Sequence, residues 1–443
     1  MDHGENVVGM LGARFGGVRE IAVLRGGGLG DVLFALPAIE SLAAAYPGAR
    51  ITLLGTPLHA QLFEGRPGPI AEVAVLPRAE GVRPGPENRR ELDAFVAGMR
   101  ERDLDLGVQV HGGGRFSNPF LLALDARHTV GAGTPDAARL ERTLPYLYYQ
   151  HEVLRALEVV GLAGAAPVTL TPRIQVTDAD RREAASVLGA GAGRPRLVLH
   201  PGATDARRRW PVDRFATVAR WAREDGMDVL VVGDTSERDL AADVVRLAGD
   251  ERLAPVADAG RRESAGAWGA DRGRDLTRVP LVSDGPGRVR SLAGQLTLSG
   301  LVGVLDGADV VVANDSGPRH LAAAVGTPTV GIYWVGNAIM ASPLGRARHR
   351  IHIGWATHCP VCGHDVAQLD GPPDCGHVFC LTESVRPQDV YADALALLER
   401  ADAEGAGAPD GLGAIGGTWP ASGQEGTHTG ALPGRSAPKR SRR

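Results

Sequence analysis

A chain of 443 residues with 44% apolar and 23% charged side chains has the composition of a globular protein of two or three domains. Its 60 glycines and 30 prolines exceed ordinary usage but follow no three-residue period, which excludes a collagen-like fibre. A formal net charge of −4 excludes a generally basic nucleic-acid-binding surface. Among 48 basic residues only Lys439 is a lysine, so an anion site here has to be built from arginine. No apolar run approaches the roughly 20 residues of a membrane span, and MDHGENVVGM lacks the basic and apolar regions of a signal peptide. The expectation is a soluble, cytoplasmic protein.

Residues 1–17 carry no periodic pattern and read as a flexible N-terminus. Ile21–Leu24 is a short apolar run suited to a strand buried on both faces. A Gly-rich turn ends it, and Val32, Leu33, Leu36, Ile39 and Leu42 then recur at helical spacing before a second buried strand, Ile51–Leu54. This βαβ pattern predicts a parallel sheet, and Ala71–Leu76 and Leu106–Val110 continue the alternation. A new array opens near Arg194 with the strand before His200, the helix 213–226, and the strands 227–234, 308–315 and 328–334. The predicted fold is α/β, with two Rossmann-like domains, 18–175 and 190–400, whose parallel sheets face each other across a cleft. Residues 261–290, rich in Gly, Arg and Asp, read as a mobile insertion, and 402–443 as a disordered tail. Five basic groups between Arg435 and Arg443 offer that tail a contact with an anionic membrane surface, against the plainer reading of a solvated end.

Three strand-to-helix turns carry the residues suited to chemistry. The first is Arg25-Gly-Gly-Gly-Leu-Gly30-Asp31. It fails the dinucleotide fingerprint, because Asp31 stands where the third glycine belongs, and it fails the P-loop pattern, because no G-K-[ST] follows. A carboxylate at the mouth of a helix is either a cap or a catalytic base. The second is His200-Pro-Gly-Ala-Thr204-Asp-Ala-Arg-Arg208-Arg-Trp210, where three adjacent guanidiniums either bind phosphate or form a solvated charge run. The third is Asn314-Asp315-Ser316-Gly317-Pro-Arg-His320, which places a carboxylate, a hydroxyl and free backbone N–H groups at a helix start. Asp315 or Ser316 as an N-cap and His320 as a core residue are the plainer readings.

The pieces RGGGLGDVLFALPAIE, HPGA…RRWPVDRF, VVGDTSER and NDSGPRHLAAAVGTPTVGIY, in this order, resemble glycosyltransferase family nine, the ADP-heptose:lipopolysaccharide heptosyltransferases. The resemblance spans most of residues 19–340. It implies a GT-B architecture, with the acceptor held mainly by the first domain and the nucleotide-sugar donor by the second, and an inverting transfer that needs no metal ion. The same resemblance implies that Asp31 is the general base and that Arg208 takes the place of a phosphate-binding lysine. Glu237 would contact the ribose, and Asp315, Ser316, Gly317 and His320 the diphosphate and sugar. Arg25, Gly28, Gly30 and Thr204 are expected on the acceptor and phosphate side. The implied reaction moves a sugar, heptose from ADP-heptose, to a hydroxyl of a cell-envelope glycolipid or glycan, at the inner face of the cytoplasmic membrane. A nucleotide-sugar epimerase of GT-B shape and a non-catalytic nucleotide-sugar binding protein are the alternatives. After Tyr333 the family's Thr-x-Pro is replaced by a stretch that keeps only Pro343-Leu344-Gly345, which leaves the sugar open.

Finally, Cys359, Cys362, Cys375 and Cys380, with His358, His364 and His377 between them, lie within 22 residues. Four clustered thiols predict a structural zinc site, with free thiols or local disulfides as alternatives.

Overall fold

The computed structural model describes residues 9–189, 193–249, 285–367 and 375–406. The first half runs β1 (Glu20–Leu24), α1 (Leu29–Ala45), β2 (Arg50–Gly55), α2 (Pro57–Phe63), β3 (Ile70–Val75), α3 (Arg89–Arg100), β4 (Leu106–Gln109), α4 (Ser117–Ala123), β5 (His128–Gly133), β6 (Arg142–Pro145) and α5 (Glu152–Leu162). The second runs α6 (Asp178–Leu188), β7 (Arg196–His200), α7 (Val212–Glu224), β8 (Asp228–Val231), α8 (Arg238–Ala248), β9 (Val289–Ser291), α9 (Leu298–Asp306), β10 (Val310–Asn314), α10 (Gly317–Ala324), β11 (Thr329–Trp334), α11 (Val335–Ala341), β12 (His349–Gly354) and α12 (Pro387–Ala406).

Each half holds a six-stranded sheet, in the orders β3-β2-β1-β4-β5-β6 and β12-β11-β10-β7-β8-β9. Every pairing between these strands is parallel, and renumbering the second half from its own first strand gives the same order twice. Parallel strands covered on both faces have to be apolar throughout. The central ones are: β10 (VVVAN) is buried along its whole length, as are the last four residues of β1. β6 (RTLP) forms an edge, where Pro145 costs no ladder hydrogen bond. In both sheets the strand order reverses at one point, between β1 and β4 and between β7 and β10. Ligands of open α/β sheets bind outside the carboxyl ends of the strands at such a point.

The halves meet where α1 packs on α10, and one apolar cluster includes Val32, Leu33 and Leu36 from the first half with Leu321, Ala322 and Val311 from the second. A buried ion pair adds to this contact. Arg66, after α2, forks onto Asp180 of α6 at 2.7 and 3.1 Å, and both side chains are almost fully buried. That bidentate geometry, with Thr177 and Ser299 also bonded to the carboxylate, offsets the cost of taking two charges from water.

Three sequence expectations change. Of the expected flexible N-terminus, residues 9–17 are described, and they are anchored: Phe15 is buried, and its N–H donates to the Tyr46 hydroxyl at 3.1 Å. The expected insertion 261–290 lies outside the described residues up to 284, but Val289 and Arg290 form β9 against β8. The expected tail begins within α12, which continues to Ala406; the remainder lies outside the described residues.

Five histidines that line the first-half loops and the contact between halves respond alike to pH. Burial is the main reason that His59, His111, His151, His320 and His349 all sit below the ordinary imidazole value. Each is neutral in the native chain and free to take a proton once unfolded, so below about pH 6.5 the unfolded state binds more protons and stability falls. For His349, held at about 4, the loss reaches about 3 kcal/mol by pH 4. Urea midpoints should therefore drop steadily between pH 7 and 4.5, and a midpoint unchanged over that range would contradict this reading.

Candidate active site

The first half contributes the loop between β1 and α1. Gly27 has φ +87°, and a Cβ there would lie 2.4 Å from the Asp31 carboxylate, so only glycine lets the chain turn this tightly. Three side chains then fix the loop. His111 Nδ1 accepts from the Gly26 N–H at 3.1 Å, His59 Nε2 donates to the Gly28 carbonyl at 3.0 Å, and Asp31 Oδ2 accepts from the Gly28 N–H at 2.7 Å. Asp31 is thus not the N-cap: Gly28 occupies that place, and Asp31 reaches back from the third helical position. Its other oxygen pairs with Arg25 Nη2 at 2.7 Å. Arg25 is itself buried, bonded also to Glu152 of α5 at 3.0 Å and to the Val110 carbonyl. The Asp31 side chain nonetheless remains 46% exposed, so it stays accessible from solvent. Gly30, one residue earlier, lies against the His320 ring of the other half.

The second half contributes the loops after β7, β8 and β10. His200, at the end of β7, is 3% exposed and bridges two expected site residues. Its Nδ1 accepts from the Ser316 hydroxyl at 2.9 Å and its Nε2 donates to Glu237 at 3.1 Å. Ser316 holds the N-cap position of α10, but its hydroxyl serves His200 and not the helix N–H groups. The His200 hydrogen bond is the chief reason that the Glu237 carboxyl lies below its ordinary value, against the effect of burial. Gly202 makes this approach possible: a Cβ there would meet Glu237 Oε1 at 1.6 Å. If Glu237 contacts the ribose, as the resemblance implies, Gly202→Val should expel its carboxylate and weaken ADP binding at least tenfold with little change in fold; an unchanged ADP titration would sink that expectation.

Asp315 is the second node. It is 7% exposed and accepts from His320 Nε2 at 2.9 Å and Asn337 Nδ2 at 2.6 Å, with Arg208 Nη1 at 3.5 Å. Burial would raise its carboxyl, but the His320 hydrogen bond and the charges of Arg208 and Arg319 outweigh that and hold it low. His320 is pushed down by burial and by Arg319, so a neutral imidazole donates to an ionised carboxylate. The His320 ring also packs edge-on against Phe34 of α1 at 4.7 Å. Asn314 stitches the neighbouring loop in place, accepting from the Trp210 N–H and donating to the Pro201 carbonyl. Gly317 opens α10, and Thr204 is exposed on the loop after β7, in the half opposite Arg25.

The structure therefore brings Asp31, Gly30 and His320 to one seam between α1 and α10, and gathers Arg208, Glu237, Asp315, Ser316 and Gly317 at the switch point of the second sheet. His200, Asn337 and Glu152 join them, and only His200 lay inside a motif that the sequence drew attention to.

The cysteine cluster is changed in one member. Ligand atoms of Cys359, Cys362, Cys375 and His377 lie within 4.8 Å of one another, whereas the Cys380 thiol turns away and donates to the Arg209 carbonyl at 3.2 Å. None of the four cysteines is in a disulfide. Burial alone would raise the Cys359 thiol, but the N–H groups of Cys362 and Val361 and the neighbouring thiols bring it to about 7.

With this geometry in place, the known proteins it is similar to are informative. The model of glycosyltransferase family 9 (heptosyltransferase) matches residues 103–257 and 267–364, more than half of the chain. Lipopolysaccharide heptosyltransferase 1 of Pseudomonas aeruginosa is 26% identical over 357 residues, 77% of this chain and 85% of that protein. Among solved structures, ADP-heptose lps heptosyltransferase II of E. coli superposes with a TM-score of 0.60 at 18% identity, covering 87% of this chain and all of that one. A family 9 glycosyl transferase from Veillonella parvula gives 0.61 at 18%, covering 86% and 97%. At that identity the structural likeness speaks for the fold, which is GT-B.

Proposed function

The chain belongs to glycosyltransferase family 9, the heptosyltransferase family, and on that premise we propose that it moves a heptosyl group from ADP-heptose to a hydroxyl of a lipopolysaccharide-core glycan. It is a transferase of the GT-B fold. The observation that carries the reading is the convergence of an accessible carboxylate from one half, Asp31, with a charged, hydrogen-bonded donor cluster from the other, at the seam where α1 meets α10.

In this reading the acceptor hydroxyl enters at Asp31, which takes its proton as the new bond to the anomeric carbon forms. The bond from that carbon to the diphosphate breaks on the opposite face, the configuration inverts, and ADP leaves. Negative charge grows on the departing phosphate, where Arg208 and the N–H groups at the start of α10 supply fixed positive ends. Together they provide charge that other transferases draw from a divalent ion. Glu237, oriented by His200, accepts from the ribose hydroxyls, and Asp315 with Asn337 addresses the sugar. Arg25 and Glu152 hold the Asp31 carboxylate in one direction.

No helix among the described residues is long and apolar enough to cross a membrane. A glycolipid acceptor would bring the enzyme to the inner face of the cytoplasmic membrane as a peripheral protein. A panel of ADP-, GDP- and UDP-sugars, read by nucleoside diphosphate release, tests the donor: ADP-heptose should turn over fastest, and preference for another nucleotide would refute the assignment.

The Cys359, Cys362, Cys375 and His377 set suits a structural zinc ion. Three thiolates and one imidazole complete a closed tetrahedral shell, and His377 Nδ1 is buried without a partner among the described residues. The segment it would close supports the donor loop, since Leu381 N–H donates to the Arg207 carbonyl at 2.8 Å. Metal analysis of protein purified without a histidine tag should give about one zinc per chain, as a structural site stays filled. Less than about 0.2 equivalents would sink the idea.

A further inference from the structure

A cavity lies where α1 and α10 meet, lined by Leu33 and Phe34 of the one and Arg319, His320 and Ala323 of the other. Its volume is about 190 Å³, larger than the roughly 150 Å³ that admits a benzene ring. Leu33, Val153, Pro172, Ala323 and Leu344 give it apolar walls, and Leu170 and Leu344, 43% and 44% exposed, leave it open to solvent.

One of its lining residues is Arg319, only 1% exposed. The guanidinium stands over the Tyr333 ring at 5.4 Å, and its Nη1 donates to His320 Nδ1 at 3.3 Å. Its Nε and Nη2 have no partner among the described residues, and no carboxylate is among the residues lining the cavity. Arginine cannot shed its charge at any accessible pH, and a buried cation without a counter-charge is strongly disfavoured. Asp315 senses Arg319 only through the field, because its oxygens are engaged by His320, Asn337 and Arg208. Arg348 lines the same space and deepens the imbalance, whereas His349 and His151 line it as neutral rings, the Nε2 of His151 being used by the Ser342 carbonyl. An apolar chamber walled by a guanidinium whose Nε and Nη2 are buried and unpaired, with no acid among its lining residues, calls for a ligand with one anionic head and a short hydrocarbon body.

We propose that this cavity binds a small organic carboxylate, its charge paired with Arg319 and its alkyl body against Leu33, Ala323 and Leu344. Asp31, Arg208, Glu237 and Asp315 are not among its lining residues. Two of its walls nonetheless belong to catalytic elements, Phe34 of α1 and His320 of α10, so occupancy bears on the seam where Asp31 and Asp315 are held.

Hexanoate, with 1-hexanol as its uncharged counterpart, is the probe for isothermal titration on the full chain. Hexanoate should bind saturably in the millimolar range or tighter, with hexanol at least tenfold weaker. Arg319→Met should lose hexanoate binding while melting no lower than the wild type. Ala323→Leu, which fills the chamber and keeps the charge, should weaken hexanoate at least tenfold and so reports independently if Arg319→Met folds poorly. Saturating ADP should leave the hexanoate titration unchanged. The proposal is overturned if wild type shows no saturable binding, if hexanol binds as well as hexanoate, if Arg319→Met binds it normally, or if ADP displaces it.

Discussion

Asp31→Asn should lower the transfer rate by a factor of about 10²–10⁴, the usual worth of a positioned general base, while leaving ADP affinity within about twofold. The two effects separate because the residue belongs to the first half and ADP is expected in the second. Asparagine is nearly the same size, and its carbonyl can still accept from the Gly28 N–H that Asp31 Oδ2 takes at 2.7 Å. Arg25 loses one partner but keeps Glu152 at 3.0 Å and the Val110 carbonyl. The loop is further pinned by His111 and His59, so the glycine turn should survive. What disappears is the basicity of a side chain that is 46% exposed at the seam. A variant whose rate stays near wild type would show that another group takes the proton.

The second large effect is at Asp315. Removing the carboxylate with Asp315→Ala leaves His320 Nε2 and Asn337 Nδ2 without their acceptor and Arg208 without its counter-charge. Deleting one partner from a buried charged cluster typically costs about 3–5 kcal/mol, so this variant should melt well below the wild type and bind ADP poorly. Asp315→Asn separates fold from function. Its carbonyl can still accept from His320, so most of the stability should return, but the charge that positions Arg208 is gone and transfer should remain at least tenfold impaired. Full activity in Asp315→Asn would mean that the carboxylate serves only packing.

The fold was legible in this chain because parallel strands buried on both faces leave apolar runs such as IAVL and VVVAN that no surface element tolerates. Short edge strands leave no such trace: β9 is three residues, VRS, and β6 ends in proline. Within the site, residues in the strand-to-helix connections were readable: Asp31 lies in the first turn of α1, Glu237 just before α8 and Asp315 just after β10. Their partners were not. Glu152 is 127 residues from Arg25, Ser316 is 116 from His200, and Asn337 is 22 from Asp315 on a separate helix. Such pairings follow from how two sheets place their loops and from nothing local in the chain. Cys380 shows the opposite error. Counting thiols favoured it over His377, whereas the backbone beyond Cys375 returns to the Arg209 carbonyl and carries the Cys380 sulfur with it.

The plainest test of the account as a whole is to incubate the full chain with ADP-heptose, with and without a heptose-free lipopolysaccharide-core acceptor, and to follow both substrates by mass spectrometry. The expected products are an acceptor heavier by one heptosyl residue and an equal quantity of ADP, formed only when both substrates are present and lost in Asp31→Asn. ADP-heptose that binds but survives alongside the acceptor, or that becomes a different sugar nucleotide without one, would contradict it.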